Sequence, residues 1–240
     1  MSAPSHSPAN SRVRWKDACR LIPSRFPPVH LFESVADPAD LDVVFAIEQL
    51  ANPRVRDAVG ELRLVHPDDR ISGPGTSAIM AAFTHLNPEG SRFSDGAWGV
   101  YYAARVLETA VAEVSHHRAR FLARTHEAPI EIDMRCYRVR VEASLVDLRG
   151  RHDPTHEALY APDSYAASQA FARPLRAAGS QGIAYDSVRH PGGQCVALFT
   201  PRAVVPPARQ AEHVTLRWDG ERIDGWYLKS ELQALPTPKR

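Results

Sequence analysis

The sequence lacks the residue patterns that mark several large functional classes. It has three cysteines, Cys19, Cys136 and Cys195, too few and too widely spaced for a disulfide framework or a Cys/His metal site. It has no secretory leader pattern and no apolar run near the roughly 20 residues of a membrane helix. P-loop, zinc-protease, nucleophile-elbow and Rossmann signatures are also missing. We therefore expect a cytoplasmic protein without membrane contact, metal or prosthetic group.

The charges are nearly balanced and mixed along the chain. Lysine plus arginine number 29 and aspartate plus glutamate 28, which gives a formal net charge of +1. A protein that wraps nucleic acid normally shows a basic excess, so direct DNA binding is not expected. With 240 residues, 44% of them hydrophobic, the chain is long enough for one domain with a substantial core. Residues 1–11, rich in serine, proline, alanine and asparagine, predict a disordered N-terminus, and residues 12–240 a single domain.

Hydrophobic periodicity predicts helices and strands that alternate irregularly. Helical spacing is present at 41–50, 106–125 and 164–179, the last ending at Gly179. Strand patterns occupy 99–104, 130–149, 182–188 and 195–199, and 213–228 is typical of a hairpin across Asp219 and Gly220. No βαβ unit repeats. The pattern favours an α+β fold with a mixed or mostly antiparallel central sheet and flanking helices.

The stretch 90–117, "GSRFSDGAWGVYYAARVLETAVAEVSHH", contains three candidate functional residues. Arg92 lies in a glycine- and serine-rich turn, where a guanidinium can bind phosphate or simply be solvated. Tyr101 and Tyr102 face opposite sides of a strand, so one can be core while the other lines a cleft. Glu113 has mainly apolar helical neighbours, which suits a base or a stabiliser of a cation; a surface glutamate paired with a nearby histidine is the alternative.

A second candidate lies far downstream, in the turn of "AYDSVRHPGGQCVALF". Ser187 and the backbone N–H groups of this glycine-containing turn can hold phosphate or ribose oxygens. An ordinary connection between two strands has the same composition. The residues alone leave both interpretations open.

Together these stretches resemble the RES-domain family. The resemblance rests on "SRF", "GVYYAA" and "TAVAEV", followed by "GIAYDSVR" and "CVALF", and covers about residues 28 to 205. The intervals agree with the family pattern without gaps, since Tyr102 lies 10 positions after Arg92 and Glu113 lies 11 positions after Tyr102. Ser187 takes the place of the family's serine.

The resemblance implies a fold like that of ADP-ribosyltransferases and NAD+ as the substrate. It implies the toxin of a type II toxin–antitoxin pair that cleaves the nicotinamide–ribose bond, as a glycohydrolase or phosphorylase. Mono-ADP-ribosylation of a cellular protein is one alternative, and a catalytically inactive module that only binds a partner is another. The implied partner is a Xre-like antitoxin that occludes the active-site cleft and is itself the only link to DNA.

The resemblance also assigns roles to residues. It implies that Glu113 stabilises the cationic ribose, that Arg92 holds phosphate and that Tyr102 stacks on nicotinamide or fixes its ribose, which makes these three the catalytic set. The residues implied to contact NAD+ are Arg92, Phe93, Tyr101, Tyr102, Ser187 and Arg189.

Three features depart from the family pattern. Glu33, in "HLFES", stands where many members have an arginine on a strand near the start of the domain. Cys195 stands where an asparagine is frequent. Residues 37–88 have the character of an insertion that lengthens one wall of the cleft.

Overall fold

The computed structural model describes residues 8–25, 31–33, 37–44 and 60–230. Within these ranges the chain forms an α+β structure in which helices flank one sheet. The strands are β1 (Asn10–Pro23), β2 (Tyr101–Ala104), β3 (Ile130–Asp147), β4 (Gly182–Asp186), β5 (Gln194–Leu198), β6 (Val204–Trp218) and β7 (Ile223–Leu228). The helices are α1 (Ser77–Thr84), α2 (Leu107–Arg124) and α3 (Ala166–Ala177).

Among the described residues the sheet has seven strands, in the order β1-β2-β5-β4-β3-β6-β7. Because β1 pairs with β3 as well as with β2, the first five strands in this order close into a ring, and β6 and β7 extend outward from β3. The ring closes narrowly between β1 and β2, where Cys19 faces Ala104. The contact between β3 and β4 is parallel and the other pairings are antiparallel. The predicted mixed α+β sheet is confirmed.

Side chains that alternate along the strands form two hydrophobic clusters. The first includes α1, whose Ile79 and Met80 are fully buried. The second contains Ala172 of α3 and, from α2, Leu107, Ala110 and Val111, which have the three- and four-residue spacing of one helical face. This second cluster positions the candidate site. No helix in the described ranges has the length and apolar character needed to cross a bilayer.

Several predicted elements are confirmed within a few residues of their expected ends. These are β2, β3, β4, β5, α2 and α3. The end of α3 follows the predicted glycine signal: Gly179 has a φ of 78°, and its N–H bonds to Arg176 O at 3.1 Å while Ser180 N bonds to Leu175 O at 3.0 Å. The predicted hairpin at Asp219 and Gly220 joins β6 to β7.

The N-terminal part differs from the expectations. β1 already begins at Asn10, which pairs with Val146, so the expected disorder does not extend through residue 11; residues 1–7 lie outside the described part. Leu31–Glu33, the described part of "HLFES", is a 3-10 turn and not a strand. Of the helix predicted at 41–50, residues 41–44 are helical and the remainder is not described. The insertion-like stretch 37–88 contributes α1 to the core.

Candidate active site

Glu113 on α2 and Ser187 in the turn after β4 are in direct contact. Ser187 Oγ donates to Glu113 Oε1 at 2.6 Å, although 74 positions separate the two residues. The same Oγ accepts the backbone N–H groups of Arg189, at 3.1 Å, and His190, at 3.0 Å. Because these two donors occupy the oxygen's lone pairs, the hydroxyl proton is directed to the carboxylate. The turn therefore fixes Glu113 in one orientation.

A close approach between this turn and α2 explains why a glycine occupies position 193. A Cβ at Gly193 would lie 2.6 Å from Thr109 Oγ1, and Thr109 is fully buried. The Thr109 hydroxyl in turn forms a 2.8 Å hydrogen bond with His190 Nδ1, and Ser187 N bonds to Gly193 O at 2.8 Å. The absent side chain at 193 thus lets the Ser187 turn dock on the helix that carries Glu113.

Tyr102 supports the turn that carries Arg92. Its hydroxyl accepts the Phe93 N–H at 2.9 Å and forms a 2.8 Å hydrogen bond with Ser91 Oγ. Burial raises the pKa of Tyr102 to about 12, so the phenol stays protonated near neutral pH. From the other side, Gln169 of α3 donates to Ser91 O at 2.9 Å. The arginine turn is therefore held by both β2 and α3.

Arg92 is neither a solvated loop residue nor an open phosphate-binding cation in this structure. Its side chain is buried, and Nη1 donates to Leu159 O at 2.9 Å and to Ala161 O at 3.1 Å. Its guanidinium also lies 4.9 Å from the ring centroid of Tyr165, a cation–π arrangement. Arg92 thus binds the segment 159–165 across the site.

Arg189 binds the same segment. Its Nη2 donates to Pro162 O, and it lies 2.8 Å from His116 Nε2. Since arginine cannot accept a hydrogen bond, Nε2 is the acceptor and His116 carries its proton on Nδ1. Burial and then the charge of Arg189 lower the pKa of His116, in agreement with a neutral ring. Segment 159–162 therefore contacts both Arg92 and Arg189.

Two residues predicted to contact NAD+ are packed in the core instead. Tyr101 is fully buried on the opposite side of β2 from Tyr102, and its ring stacks on Phe83 at 6.5 Å. The Phe93 ring is 1% exposed and packs edge-on against Tyr185 at 5.0 Å. Neither ring has surface for a ligand in this structure, and their contact with NAD+ stays a prediction. Strand alternation accounts for Tyr101, and the anchoring of the Phe93 N–H to Tyr102 turns the Phe93 ring inward.

Arg20 of β1 belongs to this neighbourhood and was not predicted. Its Nη1 donates to Tyr102 O at 3.1 Å, and its guanidinium lies 4.6 Å from the centre of the Tyr101 ring. Burial lowers its pKa from the ordinary arginine value. Local sequence carries no sign of this contact, which depends on the pairing of β1 with β2 through Cys19 and Ala104.

Cys195 and Glu33, two of the three departures from the family pattern, lie in different surroundings. Cys195 is 3% exposed on β5, and burial followed by the negative charge of Glu113 raises the pKa of its thiol well above the usual value. The thiol is therefore protonated and adds no charge beside the carboxylate. Glu33 ends the 3-10 turn Leu31–Glu33 and is half-buried.

An open groove of about 770 Å³ lies beside the Ser187 turn. It runs between the turn after β3 and the turn after β4, and its lining includes Asp147, Asp186, Ser187 and Gly192. Glu113 and Arg92 do not line it, and segment 159–165 packs over Arg92. Within the described residues, no group of three or more histidine, cysteine or acidic side chains is arranged to hold a metal ion.

Comparison with known proteins identifies the family of this chain. The RES domain model matches residues 67–219, which include Arg92, Tyr102, Glu113 and Ser187. The uncharacterized protein y4oC of Sinorhizobium fredii is 32% identical over 208 residues, covering 87% of this chain and 85% of that protein. A solved structure, the M. tuberculosis MbcT–MbcA toxin–antitoxin complex, is a distant likeness: TM-score 0.45 and 12% identity over 88% of each chain. On the family match and the sequence identity, this chain belongs to the RES-domain family.

Proposed function

We propose that this chain cleaves the bond between nicotinamide and ribose in NAD+, with Glu113 as the central catalytic residue. The observation that carries the proposal is the 2.6 Å hydrogen bond from Ser187 to Glu113. As the glycosidic bond breaks, positive charge develops on the ribose, and an oriented carboxylate stabilises that charge. The Ser187 hydroxyl fixes the carboxylate before substrate arrives, so little reorganisation is needed during the reaction.

The reaction balances without an added oxidant or reductant. The bond between the ribose C1 and the pyridinium nitrogen breaks, and its electron pair leaves with nicotinamide, which becomes neutral. A water oxygen then bonds to C1 and loses a proton, giving ADP-ribose. With inorganic phosphate as the nucleophile, the product is ADP-ribose 1″-phosphate. In this proposal Glu113 orients the nucleophile and accepts the proton from water.

Arg92 and Arg189 supply the positive charge that a pyrophosphate needs. Both guanidinium groups now donate to carbonyl oxygens of residues 159–162. Phosphate oxygens are charged and therefore stronger acceptors than carbonyl oxygens, so pyrophosphate binding replaces the carbonyl partners of both arginines with phosphate and moves the segment aside. Tyr102 holds the Arg92 turn through its hydroxyl and can offer its ring to nicotinamide or ribose.

The test is the product mixture formed when the purified full-length protein is incubated with NAD+, with and without inorganic phosphate. We expect free nicotinamide together with ADP-ribose or its 1″-phosphate, separated by chromatography. Radiolabel from the adenylate part of NAD+ that appears on added bacterial protein would establish the ADP-ribosyltransferase alternative. Complete retention of NAD+ would contradict the proposal and favour the inactive binding module.

We further propose that this activity makes the chain a cytoplasmic toxin whose Xre-like antitoxin occludes the site. Membership in the RES-domain family supports this role. Expression should arrest a bacterial host by depleting NAD+, and Arg92→Ala should relieve the arrest. Arg217→Ala, at a 61% exposed arginine on β6, is the matched control and should remain toxic. Co-expressed antitoxin should restore growth; arrest by both variants alike would contradict the assignment of the site.

A further inference from the structure

β1 has one edge without a neighbouring strand over its N-terminal half. Residues 10–15 pair continuously with β3 on one side, from Asn10 with Val146 to Trp15 with Val141. On the other side, β2 meets β1 at Cys19, so within the described residues no strand pairs with this edge before that position. In an antiparallel ladder, half of the backbone N–H and C=O groups point away from the partner strand. These outward groups are a template for an added strand.

A basic groove of about 480 Å³ follows this edge. Its lining consists of Arg12, Val13, Arg14, Trp15, Arg105 and Arg149. Val13 and Trp15 are only 2% and 8% exposed as whole residues, so they add little surface to the groove. Ser144, opposite Arg12 on β3, donates its N–H to Gln181 and so away from β1, which leaves the outward backbone groups of this stretch on Arg12 and Arg14. Arg12 and Arg14 are two positions apart and point to the same face, with side chains 61% and 70% exposed. The groove therefore combines unpaired backbone with evenly spaced cations.

The acidic side chains nearby do not neutralise these four arginines. Arg12 and Arg14 share one carboxylate, Glu142, at 2.8 and 3.3 Å. Arg149 is paired with Asp147 at 2.7 Å, and Arg105 contacts the neutral Gln194 amide at 3.2 Å. Asp186 also acts on Arg149, so among the described residues four guanidinium groups face three carboxylates, which leaves an excess of positive charge along the groove.

We propose that this edge of β1 docks an extended acidic segment of a partner protein. The segment adds as a strand beside residues 10–15 and places carboxylates at alternate positions against Arg12 and Arg14. The strand edge favours a peptide over a nucleic acid, because a phosphate backbone cannot complete the ladder. The proposal is independent of NAD+ cleavage.

The chain's own remaining segments do not supply this occupant. The ranges outside the described part are 1–7, 26–30, 34–36, 45–59 and 231–240, and none of them contains two acidic residues at alternate positions. β7, at the other end of the sheet order, is a less suitable docking edge for an acidic strand. It carries Asp224 and exposes the apolar side chains of Trp226, Tyr227 and Leu228. An acidic strand therefore matches β1 in charge and does not match β7.

The test is fluorescence anisotropy with the full-length protein and a labelled peptide of alternating threonine and glutamate. Three competitors are compared with it: a peptide of the same composition with its glutamates contiguous, the alternating peptide N-methylated along its backbone, and a short single-stranded oligonucleotide. The variants are Arg12→Gln/Arg14→Gln and, outside the strand, Arg105→Gln. The control is Arg217→Gln/Arg222→Gln, whose arginines are 61% and 79% exposed on the β6–β7 hairpin.

We expect saturable binding of the alternating peptide and weak binding of all three competitors. The Arg12→Gln/Arg14→Gln variant should bind it roughly 2- to 30-fold more weakly, the range for two cross-strand charge pairs. Arg105→Gln should also weaken binding and the hairpin control should not, while all variants keep the wild-type unfolding temperature. Equal binding of the contiguous or N-methylated peptide would overturn the proposal, as would tighter binding of the oligonucleotide or an equal loss in the control.

Discussion

Gly193→Ala is expected to disturb the candidate site much more than it disturbs the fold. The added Cβ would lie 2.6 Å from Thr109 Oγ1, 2.8 Å from Thr109 Cγ2 and 2.9 Å from His190 O. Real Cβ atoms do not approach this closely, so the turn must move away from α2. Ser187 moves with it, because its N–H bonds to Gly193 O at 2.8 Å. The Ser187–Glu113 hydrogen bond is then lengthened or lost.

The expected losses of stability and of activity follow from the close contact that the new Cβ makes. Overpacking a tight contact costs about 1–3 kcal/mol, which corresponds to a drop of roughly 2–12 °C in unfolding temperature for a domain of this size. A displacement on the order of 1 Å at a catalytic group can cost about 100-fold in rate. We therefore expect a folded protein whose NAD+ turnover falls far more than its stability.

The assay combines calorimetry with NAD+ turnover in a double-mutant cycle with Thr109→Ala. That second change removes both side-chain atoms that meet the new Cβ, so the double variant should be less destabilised than the sum of the single variants, by about 0.5–3 kcal/mol. Gly225→Ala is the control, since a Cβ there meets nothing within 4 Å. Additive effects, or a Gly193→Ala protein with wild-type stability and turnover, would refute the reasoning.

Two further predictions concern groups around the site. Tyr102→Phe leaves the Phe93 N–H without its acceptor and should cost about 1–3 kcal/mol in denaturant unfolding, and an unchanged midpoint would argue against this anchor. The second concerns Asp147, whose pKa is lowered to about 2 by the hydrogen bond from Arg149. The ionised Asp147 therefore stabilises the folded protein fully above the pKa of the unfolded chain, near 4, and this contribution is lost as the pH falls through about 2. This contribution is on the order of 2 kcal/mol at most, reduced by solvent screening. In urea unfolding, the free energy of unfolding of Asp147→Asn should change less between these two pH values than that of the wild type. Parallel pH dependence in the two proteins would contradict the prediction.

Hydrophobic periodicity was sufficient to predict the helices and strands that bury one face. α2 and β3 were predicted within a few residues because their apolar positions recur at helical and strand spacing. The long strand β6 was only partly predicted, since Pro206 and Pro207 near its start interrupt the strand pattern. β1 was also not predicted as a strand, because it is stabilised by pairing with β2 and β3, and the local sequence does not specify this pairing.

The candidate site likewise has some features that follow from the sequence and others that depend on tertiary contacts. Opposite faces for Tyr101 and Tyr102 follow from strand alternation, and the structure confirms this. Nothing local in the sequence brings Ser187 to Glu113, because the contact depends on α2 packing against the turn after β4. The burial of Arg92 under segment 159–165 is likewise tertiary. Spacing alone could nominate these residues but could not predict their contacts.

The most direct test of the central claim is the steady-state rate of nicotinamide release from saturating NAD+ by Glu113→Gln. This change keeps the size of the side chain and removes the charge that opposes the ribose cation. The matched control is Glu108→Gln, an exposed glutamate in the first turn of the same helix. The proposed mechanism predicts at least about 100-fold loss for Glu113→Gln and a wild-type rate for Glu108→Gln. Equal rates for both variants and the wild type would contradict it.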